Sequence, residues 1–147
     1  MAETSIKEVQ DEIISEFEIL GDDRESTIFY IMELGQRLPA IPEEEKIPEN
    51  SIKGCQSKVW LTTALKGDRV QFNADSNTEI TKGLISLLIR VLSGQKVDEI
   101  INADLFFIDR IGMGQVIGSQ RSNGFASMIK QMKMYALAYK SKALLDK

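Results

Sequence analysis

Two hydrophobic periods alternate along the chain. Ile6, Val9, Ile13, Phe17 and Leu20 recur every three or four residues, which predicts a first helix. Ser5 and Glu8 form a capping box at its start, and Gly21 ends it. A second helix is predicted from Arg24 to Leu34. Ile28, Ile31, Met32 and the pair Phe29-Tyr30 give it an apolar face, and Gly35 stops it. Pro39, Pro42 and Pro48 then enforce a long, semi-rigid loop, because each removes a backbone donor and restricts the residue before it. Its acidic run, Glu43 to Glu45, reads as solvated surface.

From Ser57 the period becomes two. Val59, Leu61, Thr63 and Leu65 share one face, and Trp60, Thr62 and Ala64 the other. Lys66-Gly67-Asp68 predicts a hairpin turn into a second strand carrying Val70, Phe72 and Ala74. Ser76 with Glu79 reads as another capping box. The helix after it carries Ile80, Leu84, Ile85, Leu87, Leu88, Val91 and Leu92, a coverage broad enough for the central, most buried helix, and Gly94 ends it. "VDEIINA" predicts a short helix, and "DLFFIDRIGM" a short helix or irregular turn. A last helix is predicted from near Ser122. Phe125, Met128, Ile129, Met132, Tyr135, Ala136 and Tyr139 form its inner stripe, with Lys130, Lys133 and Lys140 toward the other side. The expected order is ααββααα in one domain spanning 1–147: an α+β fold, helices packed on an antiparallel hairpin sheet. No repeat or linker interrupts it.

Composition narrows the chemistry. The chain has 147 residues, 43% of them hydrophobic, enough for a core, and a net charge of −4. That balance argues against a general nucleic-acid surface. No apolar run reaches the roughly 18 residues of a membrane span. "MAETSIKEVQDEII" has no secretory apolar region, so a reducing cytoplasmic setting is expected for the single cysteine. There is no histidine, which excludes Ser-His-Asp and Cys-His catalysis. One thiol alone cannot hold zinc or an iron–sulfur cluster. Gly112-Met113-Gly114 does not extend to a dinucleotide fingerprint.

Cys55 therefore carries the question. A solitary cysteine is often a small buried hydrophobe. Here it sits at the tip of a Pro- and Gly-containing loop, off both hydrophobic patterns, where a scaffold presents functional residues. Gly54 permits tight backbone geometry, and Lys53 and Lys58 flank the thiol with charge that favours the thiolate. Both readings stand on the residues alone. A reactive thiol without histidine or a second cysteine suits a carrier: its thiolate can take the outer sulfur of another protein's persulfide by the chemistry of thiol–disulfide exchange. The Met and Tyr residues of the last helix read first as core and second as a partner face. Its lysines read as solvated or as meeting an acidic partner, and Trp60 as sheet packing or a ligand platform.

The segment "YIMELGQRLPAIPEEEKIPENSIKGCQSKVWL" resembles the hallmark region of the SufE-type cysteine desulfuration proteins, a group that includes CsdE. "DSNTEITKGLISLLIRVLSG" is similar to the family's D-S-x-x-x-I-x-K-G-L helix, and "RSNGFASMIKQM" to the start of its final helix. The resemblance runs from about Glu8 to Lys140. It implies a fold like that of the IscU scaffold. It implies a protein that accepts sulfur on Cys55 from a pyridoxal-phosphate cysteine desulfurase of the SufS or CsdA kind. Such a protein stimulates that enzyme and delivers the sulfur to an iron–sulfur scaffold of the SufBCD type. The desulfurase supplies the cofactor, so this chain needs none and has no turnover of its own. The resemblance also brings in Arg121, before the last helix, and Asp75, leading into the central helix. Ser51 and Gln56 flank the thiol loop, and Gly54 is its hinge, on which a shielded cysteine is expected to swing out. Many relatives carry histidine and a Thr- or Ser-Pro turn before the arginine, whereas Val116-Ile117-Gly118-Ser119-Gln120 stands here. An IscU-type cluster scaffold and a non-catalytic interaction domain are the alternatives, and monomer and homodimer both remain open.

Overall fold

A computed structural model describes residues 5–145, so Met1 to Thr4 of the N-terminal reading and the last two positions of the 1–147 assignment lie outside the described residues. Helices α1 (Ile6–Ile19) and α2 (Arg24–Gln36) come first. Strands β1 (Val59–Lys66) and β2 (Arg69–Ser76) lead to α3 (Glu79–Leu92), then β3 (Gln95–Lys96), α4 (Val97–Ile101), α5 (Phe107–Arg110) and α6 (Met113–Leu145). The strands form one antiparallel sheet in the order β1-β2-β3. The α+β class follows directly from the two hydrophobic periods.

Ser5 caps α1, its Oγ accepting from the Glu8 N–H at 3.1 Å. The hairpin register pairs Leu61 with Ala74, Thr63 with Phe72 and Leu65 with Val70, so the alternating apolar positions of both strands share a face. The turn has two residues, Gly67-Asp68, with Gly67 at φ 64°, rather than the three expected. Positive φ at only its first position is what a type II′ turn requires. Val59, Leu61, Val70, Phe72 and Ala74 of the sheet, Leu84, Leu88 and Val91 of α3, Ile13 and Phe17 of α1, and Phe125, Met128 and Met132 of α6 form one core cluster. The buried Gln10 joins α1 to the α5 region: its Nε2 donates to the Asp104 carbonyl, and its Oε1 accepts from the Phe107 N–H, each at 3.1 Å.

Several expectations are corrected. Gly35 does not stop α2, which runs on to Gln36. It is a packing glycine: a Cβ there would lie 2.5 Å from the Glu79 carbonyl oxygen of α3. Gly83 answers it from α3, where a Cβ would lie 1.9 Å from the Ile31 carbonyl oxygen. The two helices thus meet nearly backbone to backbone. Phe29 is not part of the apolar face of α2: it is 62% exposed, while its neighbour Tyr30 turns inward onto Phe17. Ser76 is no N-cap. It ends β2, its Oγ donating to the Lys58 carbonyl at 2.7 Å, and α3 starts after Thr78. The two-residue β3 was too short to carry a period. The last helix begins well before Ser122, at Met113, and is broken at Gly118, whose φ of 83° and ψ of 171° lie outside the helical region.

The glycine contact yields a prediction. Gly83→Ala forces α2 and α3 apart and should lower stability by about 2–4 kcal/mol. The urea midpoint measures this, and a midpoint like the wild type's would show that the two helices can separate at no cost.

Candidate functional site

Cys55 is held at the apex of the proline loop by contacts on both sides. Before it, the loop folds into two 3-10 turns, Glu43–Glu45 and Pro48–Asn50. Asn50 Nδ2 donates to the Glu45 carbonyl at 2.8 Å and joins them. The Ile52 N–H then donates to the Val59 carbonyl at 2.9 Å, and the buried Ile41 and Ile52 side chains anchor the loop. After the cysteine, Ser57, Thr78 and Thr81 close a triangle of hydroxyls, with distances of 3.0, 2.8 and 3.1 Å, that fastens the loop to the start of α3. With one proton on each hydroxyl the three bonds fit one direction around it: Thr78 donates to Thr81, Thr81 to Ser57, and Ser57 to Thr78.

The deepest anchor is Asp75. It lies opposite Trp60 in the hairpin and is 3% exposed. Its carboxylate takes the Ser76 N–H at 2.8 Å and lies 3.3 Å from both Lys46 Nζ of the loop and Lys82 Nζ of α3. Lys46 also pairs with Glu43 at 2.8 Å, and its ammonium stands 5.5 Å from the centre of the Trp60 ring. Burial pushes the Asp75 carboxyl upward, but the Ser76 N–H and the two lysines outweigh it and hold the group below the usual carboxylate range.

At the apex, Gly54 has φ 89°, and a Cβ there would lie 2.6 Å from Ser127 Oγ. The backbone angle calls for glycine, and a Cβ there would also displace the Ser127 hydroxyl. The half-buried Cys55 thiol donates to the Gly124 carbonyl of α6 at 3.5 Å, a contact within reach for sulfur. A Cβ on Gly124 would lie 3.4 Å from Sγ. Burial raises the thiol above its ordinary range. This corrects the expected effect of the flanking lysines: Lys53 Nζ turns to Ser51 Oγ at 3.3 Å, and the Lys58 side chain is exposed. Burial thus favours the neutral thiol in the resting state.

Cys55 opens onto a cleft of about 630 Å³. Ile28, Met32, Leu84 and Met128 give it an apolar floor. Gln56, Gln120, Glu79, Arg24 and Arg121 give it a polar rim, with Gln56 Nε2 bonded to Gln120 Oε1. Of the positions read from sequence, Cys55, Gln56 and Arg121 come together here. Gly54 is the bend that presents the thiol. Asp75 stands behind the loop, not in the cleft. Ser51 serves the loop's own turn, its Oγ donating to the Pro48 carbonyl at 2.9 Å. Arg121 donates to the Ile117 carbonyl at 3.5 Å, which ties it to the turn of helix before the Gly118 break. Sequence reasoning missed Gly124, Gln120 and Arg24. Gln120 left no signal, since only the tertiary contact gives it a task; Gly124 lies inside the "RSNGFASMIKQM" motif but was not singled out, because its contact with Cys55 is tertiary. Arg24 did leave one: a cation in the first turn of a helix opposes the helix dipole. Among the described residues no cluster of acidic or thiol groups could hold a metal, and no helix is long and apolar enough to cross a membrane.

Removing the buried charge should free the loop. Asp75→Asn is expected to cost about 1–3 kcal/mol of stability and to speed native Cys55 alkylation roughly tenfold. Because the folded carboxyl titrates below its unfolded value of about 3.9, its contribution is fully present above that pH and lost as pH falls through the folded value. Trp60 fluorescence should report loop release on acidification in the wild type and no such step in Asp75→Asn. Equal alkylation rates in the two proteins would remove Asp75 as the anchor.

Comparison with known proteins places the same residues in a family. Residues 11–136 match the family model described as "SufE: Fe-S metabolism associated domain". An uncharacterized SufE-like protein of Rhizobium etli is 41% identical over 128 residues, covering 84% of this chain and 86% of the relative. One from Rhizobium meliloti is 37% identical over 131 residues, covering 86% and 93%. One from Synechocystis is 35% identical over 105 residues, covering 71% and 66%. The solution structure of a hypothetical protein from Thermus thermophilus superposes with a TM-score of 0.74 at 14% identity, covering 90% of this chain and 96% of that one, and bears on the fold alone.

Proposed function

This chain belongs to the SufE family, the Fe–S metabolism associated domain, and from that footing we propose that it is a sulfur carrier whose working atom is Cys55 Sγ. The supporting observation is a lone thiol at the apex of a pinned loop, half-shielded and open to one mixed apolar and polar cleft. The donor is a pyridoxal-phosphate cysteine desulfurase bearing a persulfide. Cys55 thiolate attacks the outer sulfur, the donor's S–S bond breaks, and the donor cysteine leaves as thiolate with the electron pair. The sulfane sulfur, now bonded to Cys55, passes by the same kind of substitution to an iron–sulfur scaffold, for which the SufBCD type is the candidate acceptor. The chain is a covalent carrier and desulfurase activator, without turnover of its own.

The resting geometry suits this role. A neutral, half-buried thiol is a poor target for oxidants and alkylating agents. Attack needs the thiolate, so docking must draw Cys55 away from Gly124 into contact with the donor, and the positive-φ Gly54 is the bend about which it turns. The cluster-scaffold alternative is not favoured: one cysteine and no histidine make no ligand set for a resident cluster.

The test is alanine formation by a cysteine desulfurase from cysteine. Wild-type chain should raise the rate, and Cys55→Ser and Cys55→Ala should leave it at the enzyme's basal level. Stimulation by Cys55→Ala equal to the wild type's would reject the carrier role.

A further inference from the structure

The cleft beside Cys55 is charged in a way that a neutral thiol does not use. Arg24 enters it from the first turn of α2, and Arg121 from just beyond the Gly118 break in α6. Neither guanidinium meets a carboxylate at ion-pair distance among the described residues, and the bond Arg121 makes is to the Ile117 carbonyl. Glu79 is the one carboxylate among the lining residues, so the lining carries a net positive charge. Lys53 and Lys58 of the loop do not line the cleft. The floor of Ile28, Met32, Leu84 and Met128 lowers the local dielectric and strengthens attraction to an anion.

Cys55 changes charge when it takes sulfur. The unloaded thiol is a donor and rests on the Gly124 carbonyl. A persulfide is the stronger acid, because the inner sulfur withdraws electron density from the outer one. Its proton passes to water and the outer sulfur becomes an anion. That anion has nothing to donate to the Gly124 carbonyl, whose lone pairs now repel it. The S–S bond, about 2 Å long, carries the charge away from Sγ. Cys55 and both arginines line the same cleft, so an atom added to Sγ enters a space that the two guanidinium side chains border.

We propose that Arg24 and Arg121 are positioning residues that hold the sulfane sulfur of loaded Cys55 as an anion in this cleft. The inference rests on the carrier reading above. Gly124 keeps the unloaded thiol and the arginines keep the loaded persulfide, so loading itself moves the sulfur from one partner to the other. The covalent step is the one already written, with the proton of the new persulfide released to solvent.

The test loads Cys55 without any desulfurase. Inorganic tetrasulfide transfers one sulfur atom to the thiolate and leaves as trisulfide. Wild type, the Arg24→Gln/Arg121→Gln pair and the Arg24→Lys/Arg121→Lys pair are each alkylated across pH at low ionic strength, loaded and unloaded, and followed by mass spectrometry. The glutamine pair should raise the midpoint of persulfide alkylation by about one pH unit while the unloaded thiol's midpoint moves much less. The lysine pair should restore the wild-type midpoint, and added salt should shrink the difference. Coincident persulfide midpoints in wild type and the glutamine pair overturn the proposal, as does a thiol midpoint that moves as far as the persulfide's. Because tetrasulfide does the loading, the expected shift in a chain that takes no sulfur from a desulfurase supports the arginine assignment and tells against only the carrier reading.

Discussion

The site depends on one buried carboxylate. Asp75 stands at the end of β2, where the sheet, the proline loop and α3 converge, and it answers a lysine from each of the last two. A charge this buried is tolerated only if fully paired. Lys46, Lys82 and the Ser76 N–H supply that pairing, so the loop cannot lift without stripping the buried carboxylate of one of its two lysines. The acidic turn at Glu43 and the Trp60 ring hold Lys46 in place. The Ser57-Thr78-Thr81 hydroxyls repeat the fastening on the other side of the cysteine.

A carrier thiol faces opposed demands: it must be unreactive toward small oxidants yet reactive toward one donor. Here the first is met by position. Sγ lies against the Gly124 carbonyl, and burial favours the protonated thiol. In the proposed role the second falls to docking, with the positive-φ bend at Gly54 as the point of movement. The loop is fastened on both flanks, which leaves the bend at Gly54 as the place for such a movement.

Much of this was legible in the sequence, and what was not has a physical reason. Alternation from Val59 to Ala74 fixed the hairpin and its inward face, because a one-residue slip would turn every apolar side chain outward. The stripe of α3 identified the central helix, and the motif around Cys55 singled out a thiol that lines the cleft. Gly35 was misread because glycine ends helices and also lets them touch, and only the partner Gly83 tells the two apart. Asp75 was found, but behind the loop, and its lysine partners are 29 and 7 positions away in the chain. Lys53 and Lys58 show why adjacency is a poor guide to charge: burial from α6, far along the chain, outweighs residues next to the thiol.

The claim at the centre is that Cys55 becomes a persulfide, and intact mass tests it most directly. The chain is incubated with a cysteine desulfurase and cysteine, then denatured without reductant and weighed. The account predicts a gain of one sulfur atom per chain, reversed by dithiothreitol and absent from Cys55→Ser. An unchanged wild-type mass, or the same gain on Cys55→Ser, would contradict it.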